Sequence, residues 1–196
     1  LAHELELTGF KEYPTEIAEV ASMAMELFSM NHWHVFFDDK EELKRAKEQQ
    51  LERVITIFPW IATIDKFQHW IYENPNHTEE ERATQWVSIL EEFSSAVIDF
   101  SGLDEYRKFA WQRQLHLFEV PFYYIEYGIA QLGAIGLWQQ YKQDSEAAIK
   151  NYITALKLGG TKTLPELFKA AGLQFDLSPA HIQQLMLFVK QELDNL

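Results

Sequence analysis

Cysteine is absent from the sequence. That excludes a disulfide framework, a thiolate metal site and a thiol nucleophile. It fits a reducing compartment, and a cytoplasmic location is expected. Basic residues are scarce: 17 Lys plus Arg stand against 30 Asp plus Glu, a formal net charge of −13. So acidic a surface argues against nucleic acid or an anionic membrane as partner. It is compatible with a cation, or with basic or neutral peptides. Uncharged apolar runs are also scarce. The longest, from Pro121 to Trp138, carries a single charge, Glu126, among neighbours that are ordinary amphipathic helices. It is expected to be a buried helix rather than a membrane span. No signal-peptide pattern, strand pattern, internal repeat or long linker is seen.

What is present suits one helical domain. The chain has 196 residues, 47% hydrophobic and 14% aromatic, enough for a sizeable core. The expected fold is all-α, a single unit over residues 1–196 with a central buried helix at about 121–141. Thr15 is expected to cap the first helix. A second helix starts at Asp38 or Asp39 and stops before Pro59, where a kink or restart is expected. Thr78 and Glu81 match a capping box, opening a helix to Phe93. Residues 103–117 read as one shorter helix, and Pro121 suits a first helical turn. Ser145, Thr163 and Ser178 are candidate caps for the last three helices. Gly128, Gly133 and Gly136 each cost roughly 1 kcal/mol inside a helix, and are expected where another backbone passes closely.

The first helix poses the chemical question. Residues 13–30 carry Glu16, Glu19 and Glu26 and no basic residue. At about 100° per residue, Ile17, Val20, Ala21, Ala24, Leu27 and Phe28 share one side. Glu19, Ser22, Met23 and Glu26 share the other. A solvated face explains this pattern, and the helix dipole accounts for Glu16. The missing Lys or Arg at i+4 and the small or sulfur-bearing neighbours resist that reading and leave a cation as the alternative. A helix-borne glutamate is the usual third ligand of zinc peptidases whose first two ligands come from H-E-x-x-H. The chain has no such motif: His3 begins one, but Leu7 stands where the second histidine belongs. His32 and His34 lie two apart and are expected to diverge on a helix. His69, His77 and His181 read as surface residues.

The stretch "PTEIAEVASMAMELF" resembles the segment that follows the zinc motif in the oligoendopeptidase F and thimet oligopeptidase family. "HLFEVPFYYIEYGIAQLGA" is similar to that family's late histidine followed by clustered tyrosines, and "FQHWIYENPNHTEEER" to its oligoendopeptidase F branch. The resemblance implies that Glu19 is the third zinc ligand. It implies that His116 and Tyr127 hold the oxyanion of a tetrahedral intermediate, with Tyr123 as second phenol and Tyr124 as runner-up. The family's H-E-x-x-H would fall before Leu1. The chain is therefore expected to be the C-terminal part of a metallopeptidase catalytic domain. In the intact parent it would act on short peptides with Zn2+. Alone it would be inactive and bind zinc weakly or not at all.

The residues read without the family leave buried aromatics with locally bonded hydroxyls. Tyr123 and Tyr127 are i, i+4; Tyr124 and Tyr127 are i, i+3. His116, ahead of Pro121, is expected in the loop entering the helix, outside any regular stack with the tyrosines. The alternative to an enzyme is a non-enzymatic helical module that binds a peptide or partner.

Overall fold

Helix starts organise the chain. The computed structural model describes residues 1–95 and 97–196. It contains α1 (Thr15–Ser29), α2 (Lys40–Glu73), α3 (Glu79–Phe93), α4 (Asp104–Phe109), α5 (His116–Glu119), α6 (Tyr124–Gln143), α7 (Ser145–Lys157), α8 (Leu164–Ala170) and α9 (Pro179–Asp194). Short 3-10 turns lie between some of them, and no strand occurs among the described residues. The fold is all-α, as expected. No helix among the described residues is long and apolar enough to cross a membrane.

The capping box is formed at α3: Thr78 N–H donates to the Glu81 carboxylate at 2.7 Å, and Glu81 N–H donates to the Thr78 hydroxyl at 3.2 Å. These bonds hold the Glu81 carboxyl below its ordinary value. Thr163 and Glu166 make the same side-chain return at α8, and the Ser178 hydroxyl accepts from His181 N–H at 3.3 Å at α9.

Other starts differ from expectation. Thr15 is already helical; Pro14 caps α1 through its carbonyl, which accepts from Ile17 and Ala18. Asp144, not Ser145, caps α7, its carboxylate accepting from Ala147 N–H at 3.0 Å. The carboxylate one residue earlier reaches the donors that the serine would have served. α2 continues as one helix past Pro59 rather than stopping before it. There the Thr63 hydroxyl donates to the Pro59 carbonyl at 2.8 Å, one turn on.

The chain divides into two compact units, one of Leu1–Ile55 with Ile129–Leu196, the other of Thr56–Gly128. In the first, α1 buries Ile17, Val20, Ala24, Leu27 and Phe28. Phe28 stacks on Tyr141 at 4.6 Å between centroids, and the Tyr152 hydroxyl donates to Ala21 O at 3.1 Å. The central helix is buried on all sides over Ala130–Ile135, with Leu137 and Trp138 following. Its glycines make room for side chains, not for a backbone. A Cβ on Gly133 would lie 2.8 Å from Val20 and 3.1 Å from Phe168, and one on Gly136 would lie 2.7 Å from Leu173.

Backbone does pass closely at Gly159. Its φ is +52°, and a Cβ there would lie 2.1 Å from the Phe10 carbonyl oxygen. Gly160 N–H donates to that same oxygen at 2.8 Å. Gly159→Ala combines a left-handed residue with a clash that no rotamer relieves. It is expected to destabilise the protein by about 2 to 4 kcal/mol, read from urea unfolding. Unchanged stability would show that residues 1–12 are not held there.

In the second unit, Ile64 and Phe67 of α2, Trp86 and Ile89 of α3, and Trp111 form the core. Trp86 meets Phe67 edge-on at 5.0 Å and donates its indole N–H to Arg107 O at 2.8 Å. Such a ring, fully buried with its one polar atom satisfied, stabilises by about 1.5 to 3 kcal/mol or more through apolar burial.

Candidate active site

The candidate site is built on the connection from α4 to α6. Residues 103–117 are not one helix. α4 ends at Phe109, a 3-10 turn covers Ala110–Arg113, and Gln114 is extended at φ −87°, ψ 91° before α5 begins at His116. His116 is thus the first residue of a short helix rather than part of a loop.

The next bend is at Phe122, whose φ is +59°. A left-handed residue cannot continue a right-handed helix, so α6 starts at Tyr124 and leaves Pro121 outside. This conformation, costly for a bulky residue, has local support. Phe122 N–H donates to Gln68 Oε1 at 2.9 Å, and its ring packs against His69 at 4.9 Å and Tyr72 at 5.1 Å. Gln68 itself is 2% exposed.

The bend gathers the aromatics around His116. Tyr123, which precedes the helix, stacks on the imidazole at 5.6 Å between centroids and 28° between planes. Tyr124 and Tyr127 meet it edge-on at 5.1 and 5.7 Å. The Tyr127 hydroxyl lies 3.4 Å from His116 Nε2. His116 therefore does stack with a tyrosine, against expectation, because α5 turns it back over the start of α6. Tyr123 and Tyr127 also meet, at 5.4 Å, but through the bend and not through helical i, i+4 spacing.

Behind His116 lies a second tier. Gln114 Nε2 faces His116 Nδ1 at 2.6 Å, and Gln114 Oε1 accepts from the Trp60 indole N–H at 3.1 Å. Trp60 is itself braced, edge-on to Trp86 at 5.9 Å and under the Arg113 guanidinium at 4.9 Å. Burial pushes the Tyr124 phenol above its ordinary value; the nearby Trp60 indole and the Arg113 charge act the other way. Tyr124 also packs on the core cluster, which sets it apart from Tyr123.

Glu19 belongs to the other unit, on α1. It is half-buried and, among the described residues, makes no hydrogen bond or ion pair. Glu26 is exposed and accepts from Gln50 at 3.0 Å. The wet face of α1 runs through Ala18, Ser22, Met25 and Glu26, so Glu19 and Met23 sit at its margin. His32 and His34 lie in the 3-10 segment Met30–Val35 with ring centroids 6.5 Å apart. His69 is exposed; His77 and His181 are half-buried. Among the described residues no three His, Asp or Glu side chains are grouped to hold a metal. Glu19 fits zinc as one carboxylate ligand; the three protein ligands of a catalytic zinc are more than the described residues bring together.

Sequence reasoning did not single out Gln114, Trp60 or Gln68. Gln68 lies in the stretch FQHWIYENPNHTEEER but was given no role there, and each of the three acts on a residue distant in sequence or through a backbone bend.

An all-helical chain with this histidine and phenol cluster can be placed among known proteins. It belongs to peptidase family M3, whose profile matches residues 2–187. Its relatives point to the oligoendopeptidase F branch. An oligoendopeptidase F homologue from Borreliella burgdorferi is 26% identical over 149 residues, 74% of this chain and 25% of that protein. PZ peptidase A, solved with an inhibitor, superposes with a TM-score of 0.89 at 30% identity, covering 98% of this chain and 34% of that one. A protein assigned as oligoendopeptidase F matches all of this chain and 34% of its own, with a TM-score of 0.86 at 29% identity. The chain thus spans between a quarter and about a third of these relatives.

Proposed function

We propose that residues 1–196 form the C-terminal part of the catalytic domain of a zinc-dependent endopeptidase that hydrolyses short peptides. The observation that carries this is the convergence of His116 with Tyr123, Tyr124 and Tyr127, in a chain whose family is one of peptidases. That membership favours an enzyme over a non-enzymatic binding module. Glu19 supplies one zinc ligand, and the remaining ligands and the general base come from a segment outside this chain. Zinc held in part by Glu19 would supply Lewis-acid polarisation of the scissile carbonyl and a more acidic water. His116 and Tyr127 donate hydrogen bonds to the oxygen on which negative charge develops, where preformed donors act most strongly. Tyr123 is the second phenol, with its ring stacked on His116; Tyr124, leaning on the core, is the runner-up. A cytoplasmic setting belongs to the same proposal.

The test uses the full-length protein carrying this chain, a short quenched-fluorescent peptide and a folded protein as substrates. The peptide is expected to be cleaved and the folded protein spared. A chelator is expected to stop turnover and added zinc to restore it. The 196-residue chain alone is expected to be inactive. Chelator-resistant hydrolysis, or hydrolysis by the chain alone, would overturn the proposal.

A further inference from the structure

On the basis of the oxyanion role proposed for His116, we infer that Gln114 is a positioning residue that fixes the proton of neutral His116 on Nε2, with Trp60 as its anchor. A tryptophan N–H only donates, so the group it meets at 3.1 Å is the carbonyl oxygen of the Gln114 amide. This settles the orientation of the amide, whose two ends are otherwise interchangeable. The NH2 end then faces His116 Nδ1 at 2.6 Å. An amide NH2 donates and cannot accept, so Nδ1 is the bare nitrogen and Nε2 bears the hydrogen.

The consequence lies on the other side of the ring. Nε2 faces the Tyr127 hydroxyl, the group proposed to share the oxyanion. An Nε2–H is a donor to a developing negative oxygen. A bare Nε2 would instead present a lone pair to it. A tautomer set by the bond at the opposite ring nitrogen is a general property of histidine sites. Here the anchor is rigid. Trp60 is held by Trp86 and Arg113, and the Gln114 backbone is tied at both ends, its N–H donating to Trp111 O at 3.0 Å and its carbonyl accepting from Leu117 at 3.1 Å. The asymmetry between an amide and a carboxylate makes the assignment testable. A glutamate at 114 keeps an acceptor for Trp60 but offers Nδ1 a second acceptor, which requires the hydrogen on Nδ1.

The experiment is long-range 15N–1H correlation on the labelled 196-residue chain at about pH 8.5, above the ordinary imidazole range. His116→Gln identifies the signals. In the wild type, Nε2 is expected at the pyrrole-like position and Nδ1 at the pyridine-like one. Gln114→Glu is expected to exchange the two. Trp60→Phe, which frees the amide to turn over, is expected to average them. A wild-type spectrum with the hydrogen on Nδ1, or already averaged, overturns the inference, as does an unchanged pattern in a folded Gln114→Glu. The wild-type spectrum decides even if a variant does not fold. In the full-length enzyme Gln114→Glu is expected to lower kcat about as much as His116→Ala, with KM little changed. Exchanged tautomers with unchanged kcat in both variants would leave the Gln114 assignment standing and sink the oxyanion role of His116.

Discussion

Glu19→Ala in the full-length enzyme is expected to remove stoichiometric zinc and to lower peptide hydrolysis by at least about a thousandfold. A catalytic zinc needs three protein ligands with one position left open, and loss of one carboxylate leaves the ion weakly held. The structure makes the test clean. Glu19 is half-buried on α1 and makes no bond to another described residue, so the substitution breaks nothing in the fold. In the 196-residue chain, Glu19→Ala is expected to leave the urea midpoint unchanged or raised. Glu26→Ala is the control. That side chain is exposed and its contact is with Gln50, so activity is expected to stay within about twofold, as for an ordinary surface change. Metal analysis after dialysis, alongside kcat, reads both. Full zinc and activity in Glu19→Ala would remove Glu19 from the metal site and return it to a solvated margin.

Tyr127→Phe is expected to lower kcat by about a hundredfold to a thousandfold, equivalent to about 3 to 4 kcal/mol of transition-state stabilisation, the usual effect of losing one oxyanion donor. Zinc content and KM are expected to hold, because the hydroxyl acts on charge that exists only in the transition state. The ring contacts with His116, Tyr123 and Tyr124 at 5.7, 5.4 and 5.3 Å survive the loss of one oxygen. The paired substitutions separate the other two phenols: Tyr123→Phe is expected to lower kcat as well, and Tyr124→Phe to change it little. The reverse order would move the second phenol to Tyr124. Equal kcat for wild type and Tyr127→Phe would sink its assigned role.

The helices, their approximate extents and the burial of the central one were legible because 3.6-residue periodicity and capping chemistry are local. The Thr78–Glu81 box shows this, with donor and acceptor three residues apart. What was not legible depended on tertiary placement. An interior proline commonly kinks or breaks a helix, yet here α2 continues past Pro59, with the Thr63 hydroxyl bonded to the proline carbonyl. The bend at Phe122 required a left-handed phenylalanine, a state no propensity favours, held by a glutamine 54 positions earlier. That bend moved the start of α6 and brought Tyr123 onto His116. The candidate residues themselves came from resemblance. Periodicity alone left Glu19 on a polar face and the tyrosines in a core.

The contact between Phe10 and the Gly159–Gly160 pair also bears on Glu19. Gly160 N–H ties the Phe10 carbonyl, Ala2 N–H donates to the Tyr13 hydroxyl at 3.2 Å, and α1 begins only two residues after Tyr13. The first thirteen residues act as a splint clamped at its far end, and α1 leaves it with little slack. One residue inserted between Glu12 and Pro14 must bulge out of the splint or turn α1 by about 100° about its axis. The second outcome carries Ile17, Val20 and Leu27 out of the core and swings Glu19 to a new azimuth. The bare Cα of Gly159 therefore works as a phasing mark for α1: it sets which compass bearing the carboxylate takes.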